Sequence, residues 1–307
     1  MKIVEADYTV GCDTLHYYEV QNDKPALLLI HAQGSESMSF HGVLCKLSKH
    51  YHLYLVDCYG HGKSDQNPLK YNLRSLGEDI LAFTQDVIQQ PFSVLGHSSG
   101  GLIAAYIAAN CPVCTKLILE DAPLFSCVGE ARYNTFNYVD LSTVCHEFLQ
   151  QTEERDFPYY YVVNQYCWNF FPDNSREDIR SSIAYEARKY RKKHPGEPLR
   201  VPMWPRRGQE AFRGLHLYDP RFGETFYNNE FHVGINYHAL LAKIKCPTLF
   251  LKAKAEVRNG ILLGALSDED LNRTCALIKN MVIEYFNCGH GIHTDKRRQF
   301  LNAVIHF

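Results

Sequence analysis

The stretch Phe92-Ser93-Val94-Leu95-Gly96-His97-Ser98-Ser99-Gly100-Gly101-Leu102-Ile103-Ala104-Ala105 decides the fold. An apolar run fit for a buried strand leads into Gly96-His97-Ser98-Ser99-Gly100, and a helix rich in small residues follows. In the pattern G-x-S-x-G, a serine sits on a sharp strand-to-helix turn whose backbone angles are strained. Glycine on either side lets neighbouring chains come close, because no β-carbon is in the way. Gly101 and Ala104-Ala105 allow the helix to lie tightly on a sheet. Such a turn pushes its serine hydroxyl into the open, which marks Ser98 as a candidate nucleophile.

Working outward from this turn, strands and helices alternate. Lys2 to Thr9 and Thr14 to Val20 read as a hairpin around Gly11-Cys12-Asp13. Ala26-Leu27-Leu28-Leu29-Ile30 and Leu53-Tyr54-Leu55-Val56 are short continuous apolar runs, the pattern of strands buried on both faces of a parallel sheet. A crossover helix fits between them. Leu73 to Ile88 carries Leu73, Leu76, Ile80, Phe83 and Val87 at helical spacing, and Pro91 stops it. Leu102 to Ala109 follows as a helix and Lys116-Leu117-Ile118-Leu119 as a strand. The repeat is βαβαβαβ, which predicts an α/β fold with a mostly parallel sheet flanked by helices.

That rhythm breaks after Asp121. Residues 122–245 are aromatic, polar and punctuated by proline, with helical stretches at Leu141 to Thr152 and Arg176 to Lys192. The alternation resumes with the strand Pro247 to Leu251, a helix capped by Ser267, the strand Val282 to Phe286 and a closing helix from Thr294 to Phe307. The chain of 307 residues therefore reads as a catalytic domain, 1–121 and 246–307, interrupted by a mainly helical cap, 122–245.

Composition excludes several classes. An apolar fraction of 46% with 21% charged residues suits a soluble globular protein rather than a disordered or fibrous chain. With 32 Lys+Arg against 34 Asp+Glu there is no basic field to collect nucleic acid or an anionic membrane. No apolar run reaches the roughly 18 residues of a spanning helix, and the opening residues turn acidic before a signal core forms, so a cytoplasmic location is expected. Eleven scattered cysteines suit reduced thiols acting as small hydrophobes. Cys111 and Cys114 have redox spacing, yet they follow a helix instead of opening one. No ligand set for a metal is evident, and no cofactor is implied.

A serine hydroxyl needs a base within hydrogen-bond reach, and the base needs a carboxylate to orient it. Asn287-Cys288-Gly289-His290-Gly291 follows the last strand, at the edge where open α/β sheets place their sites. His290 is accordingly the candidate base. His293 competes, but it reads as the start of the closing helix, facing away.

At this point the chain resembles the α/β-hydrolase superfamily, over roughly Lys24 to Pro123 and Cys246 to Phe307. Asp57-Cys58-Tyr59-Gly60-His61-Gly62-Lys63-Ser64 is similar to that family's D-x-x-G-x-G-x-S turn. Its Gly-Lys-Ser is no P-loop, since Asp57 stands where the first glycine belongs. His31-Ala32-Gln33-Gly34-Ser35 looks like the family's oxyanion segment, with alanine for the usual first glycine. The resemblance implies that the backbone amides of Gln33 and Ser99 hold the oxyanion, and the Gln33 side chain is a further candidate contact to substrate. The family often takes its acid from a G-x-x-D loop; here that loop is Ala253-Lys254-Ala255-Glu256, whereas the preceding strand ends in Glu120-Asp121. Asp121 is favoured as the acid, with Glu256 as the alternative. Asp268 and Asp270 read as first-turn helix acids.

Of the 39 aromatic residues, 23 lie between Pro123 and Lys245, where an even spread would give roughly 16. They could line a substrate pocket or simply pack the cap. His31, Gln33, Trp168 and Trp204 are the candidate substrate contacts. The basic residues Arg188, Lys189, Arg191, Lys192, Lys193, Arg200, Arg206 and Arg207 are interspersed with acids and read as a solvated face. The expectation is a serine hydrolase cleaving a carboxylic ester, thioester or lactone of a partly apolar small molecule, as a monomer or homodimer. The alternatives are a carbon–carbon bond hydrolase of the same fold and a slow-turnover small-molecule binding protein.

Overall fold

In the computed structural model of the chain, residues 1–201, 204 and 206–307 are described, apart from the side chains of residues 206, 207 and 210. Strands β1 (Val4–Val10) and β2 (Asp13–Val20) form the antiparallel hairpin, turned at Gly11 with φ +63°. Then come β3 (Ala26–Ile30), helix α1 (His41–Leu47), β4 (His52–Val56), α2 (Leu73–Phe83), β5 (Phe92–His97), α3 (Ser99–Asn110) and β6 (Cys114–Glu120). Residues 122–245 hold short helices, α4 (Thr143–Gln150), α5 (Phe157–Asn164), α7 (Arg206–Gly214), α8 (Pro220–Tyr227) and α9 (Tyr237–Ala242), around one long helix, α6 (Asp173–Lys193). The chain closes with β7 (Thr248–Ala253), a small hairpin β8 (Val257–Arg258) and β9 (Ile261–Leu262), α10 (Asp268–Leu277), β10 (Met281–Phe286), α11 (Ile292–Asp295) and α12 (Arg297–His306).

Eight strands make one sheet in the order β1-β2-β4-β3-β5-β6-β7-β10, parallel from β4 onward. All residues of β3, and all those of β4 after His52, are buried, which explains why these strands read as unbroken apolar runs. Their side chains alternate between two cores. Leu28 and Ile30 pack with α2 and α3 on one face, while Leu27 and Leu29 pack with α1 and α12 on the other. The strand order reverses between β3 and β5, so the loops leaving these two strands diverge and open a crevice at their carboxyl ends.

Three elements depart from the sequence expectation. Helix α2 ends at Phe83 and passes into a π-helical turn over Thr84–Ile88, closed by Gln89 with φ +53°. Helix α3 starts at Ser99, directly after the turn, instead of at Leu102. The closing helix is broken at Lys296, because Ile292 and His293 are drawn inward on a separate short turn.

Candidate active site

The turn between β5 and α3 has the geometry its glycines allow. Ser98 sits at φ +55°, ψ −122°, a sparsely populated region for a residue with a side chain. A β-carbon on Gly96 would lie 2.1 Å from the carbonyl oxygen of Gly100, and one on Gly100 would lie 2.4 Å from the carbonyl oxygens of Ile30 and His31. Both positions exclude any other residue. The tension is held by neighbours, since the Ser98 amide donates to the carbonyl of Glu120 at 2.9 Å, locking the turn to the end of β6.

At that end lies Asp121, fully buried, with φ +43°. Its Oδ2 accepts from Nδ1 of His290 at 2.7 Å and from the Ala265 amide at 3.2 Å. The structure brings Asp121, not Glu256, to His290. Glu256 faces solvent between Arg258 at 3.0 Å and Lys254 at 3.3 Å, and hydrogen bonds from these two cations hold its carboxyl below the ordinary value. The Asn259-Gly260 turn of the β8–β9 hairpin, with φ of +52° and +78°, carries this loop outward.

His31 is not brought to the cavity. It is 1% exposed, its Nδ1 donates to the Ala32 carbonyl at 2.8 Å, and its Nε2 accepts from the Cys58 amide at 3.0 Å. Burial lowers its pKa, which fits a neutral ring that stitches the β3 loop to the β4 loop. His61 does similar work, donating to Tyr59 and accepting from the Gly34 amide at 3.1 Å. Asp57 accepts from the amides of Ser37 and Lys63, so the turn it opens is scaffolding for the β3 loop.

Gln33 lines the cavity, but both of its amides are engaged. The backbone N–H donates to the Ser99 hydroxyl at 2.7 Å, and the side-chain amide donates to the Tyr218 hydroxyl at 3.1 Å. The amide of Ser99, as the first residue of α3, has no acceptor within its helix.

Ser98, Ser99, Gln33 and His290 share one cavity of about 320 Å³. Phe136, Leu141, Leu215 and Phe226 give it an apolar roof, and Leu263, Gly264 and Ala265 close one side. Trp168 and Trp204 do not line it. Their rings meet edge-on at 5.3 Å within a separate core of residues 122–245, built from Val162, Ile183, Ala187 and Phe212, and the Trp168 indole donates to the Val162 carbonyl. Large rings in a small helical layer are used first to fill that layer. Three of the basic residues there turn to local acids: Arg188 to Glu154, Lys189 to Glu186, and Arg191 to Asp156. The side chains of Arg206 and Arg207 lie outside the described residues.

Two groups went unnoticed in the sequence. The first is Asp140, on the cavity wall and 2% exposed, flanked in sequence by Val139 and Leu141; burial raises its carboxyl to about 6, against hydrogen bonds from Tyr161 and the Tyr166 amide. An isolated acid inside an apolar, aromatic stretch was the available signal. The second is a buried cluster behind His290. Glu120 accepts from Nδ1 of His293 at 2.9 Å and from its amide at 2.8 Å, while Nε2 of His97 donates to the His290 carbonyl at 3.2 Å. Burial would raise Glu120, yet the imidazoles of His293 and His97 outweigh it and hold the carboxyl down at about 2. His293 does turn away from the cavity, as expected, but it is tied into the interior. The adjacent acids Glu120 and Asp121 thus grip two histidines three residues apart.

The model of the alpha/beta hydrolase family matches residues 27–303. The chain belongs to that family. Among curated relatives of this family member, the magnesium-chelatase 30 kDa subunit of Rhodobacter capsulatus is 36% identical over 92 residues, covering 30% of this chain and 32% of that one. The pimeloyl-[acyl-carrier protein] methyl ester esterase of Yersinia pestis bv. Antiqua (strain Angola) is 30% identical over 118 residues, 38% of this chain and 44% of the esterase. The matched stretches therefore span less than half of these relatives. A hydrolase from Pseudomonas aeruginosa PA01 has the same fold, with a TM-score of 0.68 at 19% identity over 98% of this chain and 97% of that one. Among the described residues, no helix is long and apolar enough to cross a membrane.

Proposed function

We propose that this family member is a serine hydrolase that cleaves a carboxylic ester, thioester or lactone of a partly apolar small molecule, with residues 122–245 as the roof over its site. The observation that carries this reading is the pairing of His290 Nδ1 with buried Asp121 at 2.7 Å, on the wall of the cavity that also holds Ser98. With Nδ1 donating to the carboxylate, His290 presents Nε2 as the basic nitrogen. Ser98 gives its proton to that nitrogen as its oxygen attacks the carbonyl carbon, and His290 returns the proton to the departing alcohol or thiol. Water then repeats the sequence and releases the acid.

The negative charge that develops on the carbonyl oxygen is met by the Ser99 amide, at the positive end of α3, and by the Gln33 amide once the Ser99 hydroxyl has moved off it. Each such donor contributes roughly 3 kcal/mol to lowering the barrier, by comparison with measured oxyanion holes. The apolar roof favours a substrate with hydrocarbon bulk. The esterase relative acts on a methyl ester, which is consistent with ester chemistry.

A fluorophosphonate probe is the direct test. Stoichiometric labelling at Ser98, abolished in Ser98→Ala, is the expected result; labelling that survives this substitution overturns the reading. Turnover across a panel of aryl esters and thioesters then ranks the leaving group.

A further inference from the structure

We propose that Asp140 recognises a positively charged group on the substrate, so that the ester acted on carries an ammonium substituent. The inference rests on the hydrolase reading above and narrows it.

Six carboxylates are buried among the described residues: Asp57, Asp79, Glu120, Asp121, Asp140 and Asp219. Four of them face a cationic or imidazole partner, namely Lys70 for Asp79, His293 for Glu120, His290 for Asp121 and Arg221 for Asp219. Asp57 is sealed inside its turn by the amides of Ser37 and Lys63. Asp140 differs from all five. It opens on the cavity that holds Ser98 and His290, and among the described residues no lysine, arginine or histidine pairs with it. Its hydrogen bonds come from the Tyr161 hydroxyl to Oδ2 and from the Tyr166 amide to Oδ1 at 2.6 Å. Each carboxylate oxygen accepts two hydrogen bonds, so both retain acceptor capacity.

A buried anion is costly unless it is paired, and here the space beside it belongs to the substrate. The surroundings suit a cation further. Phe136, Tyr161 and Phe226 line the same cavity, and no lysine or arginine does so among the described residues. Aromatic faces attract an ammonium group and a carboxylate binds it, whereas a carboxylate on the substrate would be repelled. Asp140 also lies at the centre of a π-helical turn, Tyr138–Ser142, a rare conformation that recurs at functional sites.

The test uses three acetate esters of similar length: 5-aminopentyl acetate, hexyl acetate and the acetate ester of 6-hydroxyhexanoate. Acid release is followed for the wild-type protein and for Asp140→Asn. The expected result is a kcat/KM about tenfold or more higher for the ammonium ester than for hexyl acetate in the wild type, with the anionic ester slowest, as for hydrogen bonds to charged groups. In Asp140→Asn that ratio falls towards one. Hexyl acetate used as well as the ammonium ester overturns the inference, and so does a substitution that lowers both esters by the same factor, which would mark Asp140 as a structural tie between Tyr161 and Tyr166.

A binding measurement covers the case in which none of these esters is cleaved. In Ser98→Ala protein, calorimetry should find pentylammonium bound more tightly than pentanol, with the difference lost when Asp140→Asn is added. Equal affinities sink the inference. Fluorophosphonate labelling keeps the two levels apart: labelling of Ser98 without an ammonium preference defeats this inference alone, and absence of labelling at Ser98 defeats the hydrolase reading.

Discussion

The hydroxyl oxygen of Ser99 lies 2.7 Å from the backbone nitrogen of Gln33 and accepts its hydrogen. This contact joins the loop after β3 to the first turn of α3, and under the proposed mechanism it occupies the amide that would hold the substrate oxygen. Under that mechanism, binding of the substrate exchanges this one hydrogen bond for another.

Replacing Ser99 by alanine should therefore help. Freed of its internal partner, the Gln33 amide meets the carbonyl oxygen directly, and kcat/KM for an ester is expected to rise by about two- to tenfold, the worth of one neutral hydrogen bond. Steady-state kinetics on purified Ser99→Ala protein checks this. A fall in kcat would instead mean that the hydroxyl itself donates to the oxyanion.

The two candidate acids are separable by substitution. Asp121→Asn leaves the shape of the site intact but favours the wrong imidazole tautomer, and kcat is expected to drop by about 10⁴-fold with little change in melting temperature. Glu256→Gln removes a surface carboxylate that meets Lys254 and Arg258, and its kcat should stay within about twofold of the parent, since exposed ion pairs contribute little. The reverse ranking would reassign the acid.

Glu120 is expected to matter for stability in a pH-dependent way. Its folded pKa, about 2, lies below the ordinary 4.5, so the unfolded chain takes up its proton first as pH falls. The stabilisation is complete above about pH 4.5 and fades as pH drops towards 2. Glu120→Gln, which strands His293 in the interior, should cost on the order of 3 kcal/mol at pH 7 and less at pH 3. Urea denaturation at the two pH values is the measurement, and an equal loss at both would contradict the ion-pair account.

Asp140 carries the opposite sign. Its folded pKa, about 6, lies above the ordinary 3.8, so between those values the folded protein holds a proton that the unfolded chain has released. Its contribution is complete below about pH 3.8 and is lost as pH rises through 6. The stability of the wild type relative to Asp140→Asn should fall by about 2 kcal/mol between pH 4 and pH 7 in the absence of ligand. A gap that does not change with pH would mean that Asp140 is already paired.

Much of the fold could be read before the structure. Alternating apolar runs from Ala26 to Leu119 announce buried parallel strands, because a strand covered on both faces has no polar side to show. The elbow was legible for a different reason: Gly96 and Gly100 are fixed by atoms within 2.4 Å, so the turn leaves its mark in the residues themselves. His290 was legible from its place after the last strand. The roles assigned to Trp168, Trp204 and His31 were misread, since an aromatic or imidazole ring looks the same in a sequence whether it faces a ligand or a neighbouring helix.

The sequence by itself determined the family fold, the order of its elements and the positions of Ser98 and His290, because local spacing and steric need are written residue by residue. Only the tertiary structure decided which carboxylate meets His290, that the Gln33 amide is covered by the Ser99 hydroxyl, and that Asp140 stands at the cavity with no cation beside it among the described residues. Those facts depend on contacts between residues 66 to 169 positions apart, or on the lack of one, and chain separation carries no information about which side chains a packed core will bring together.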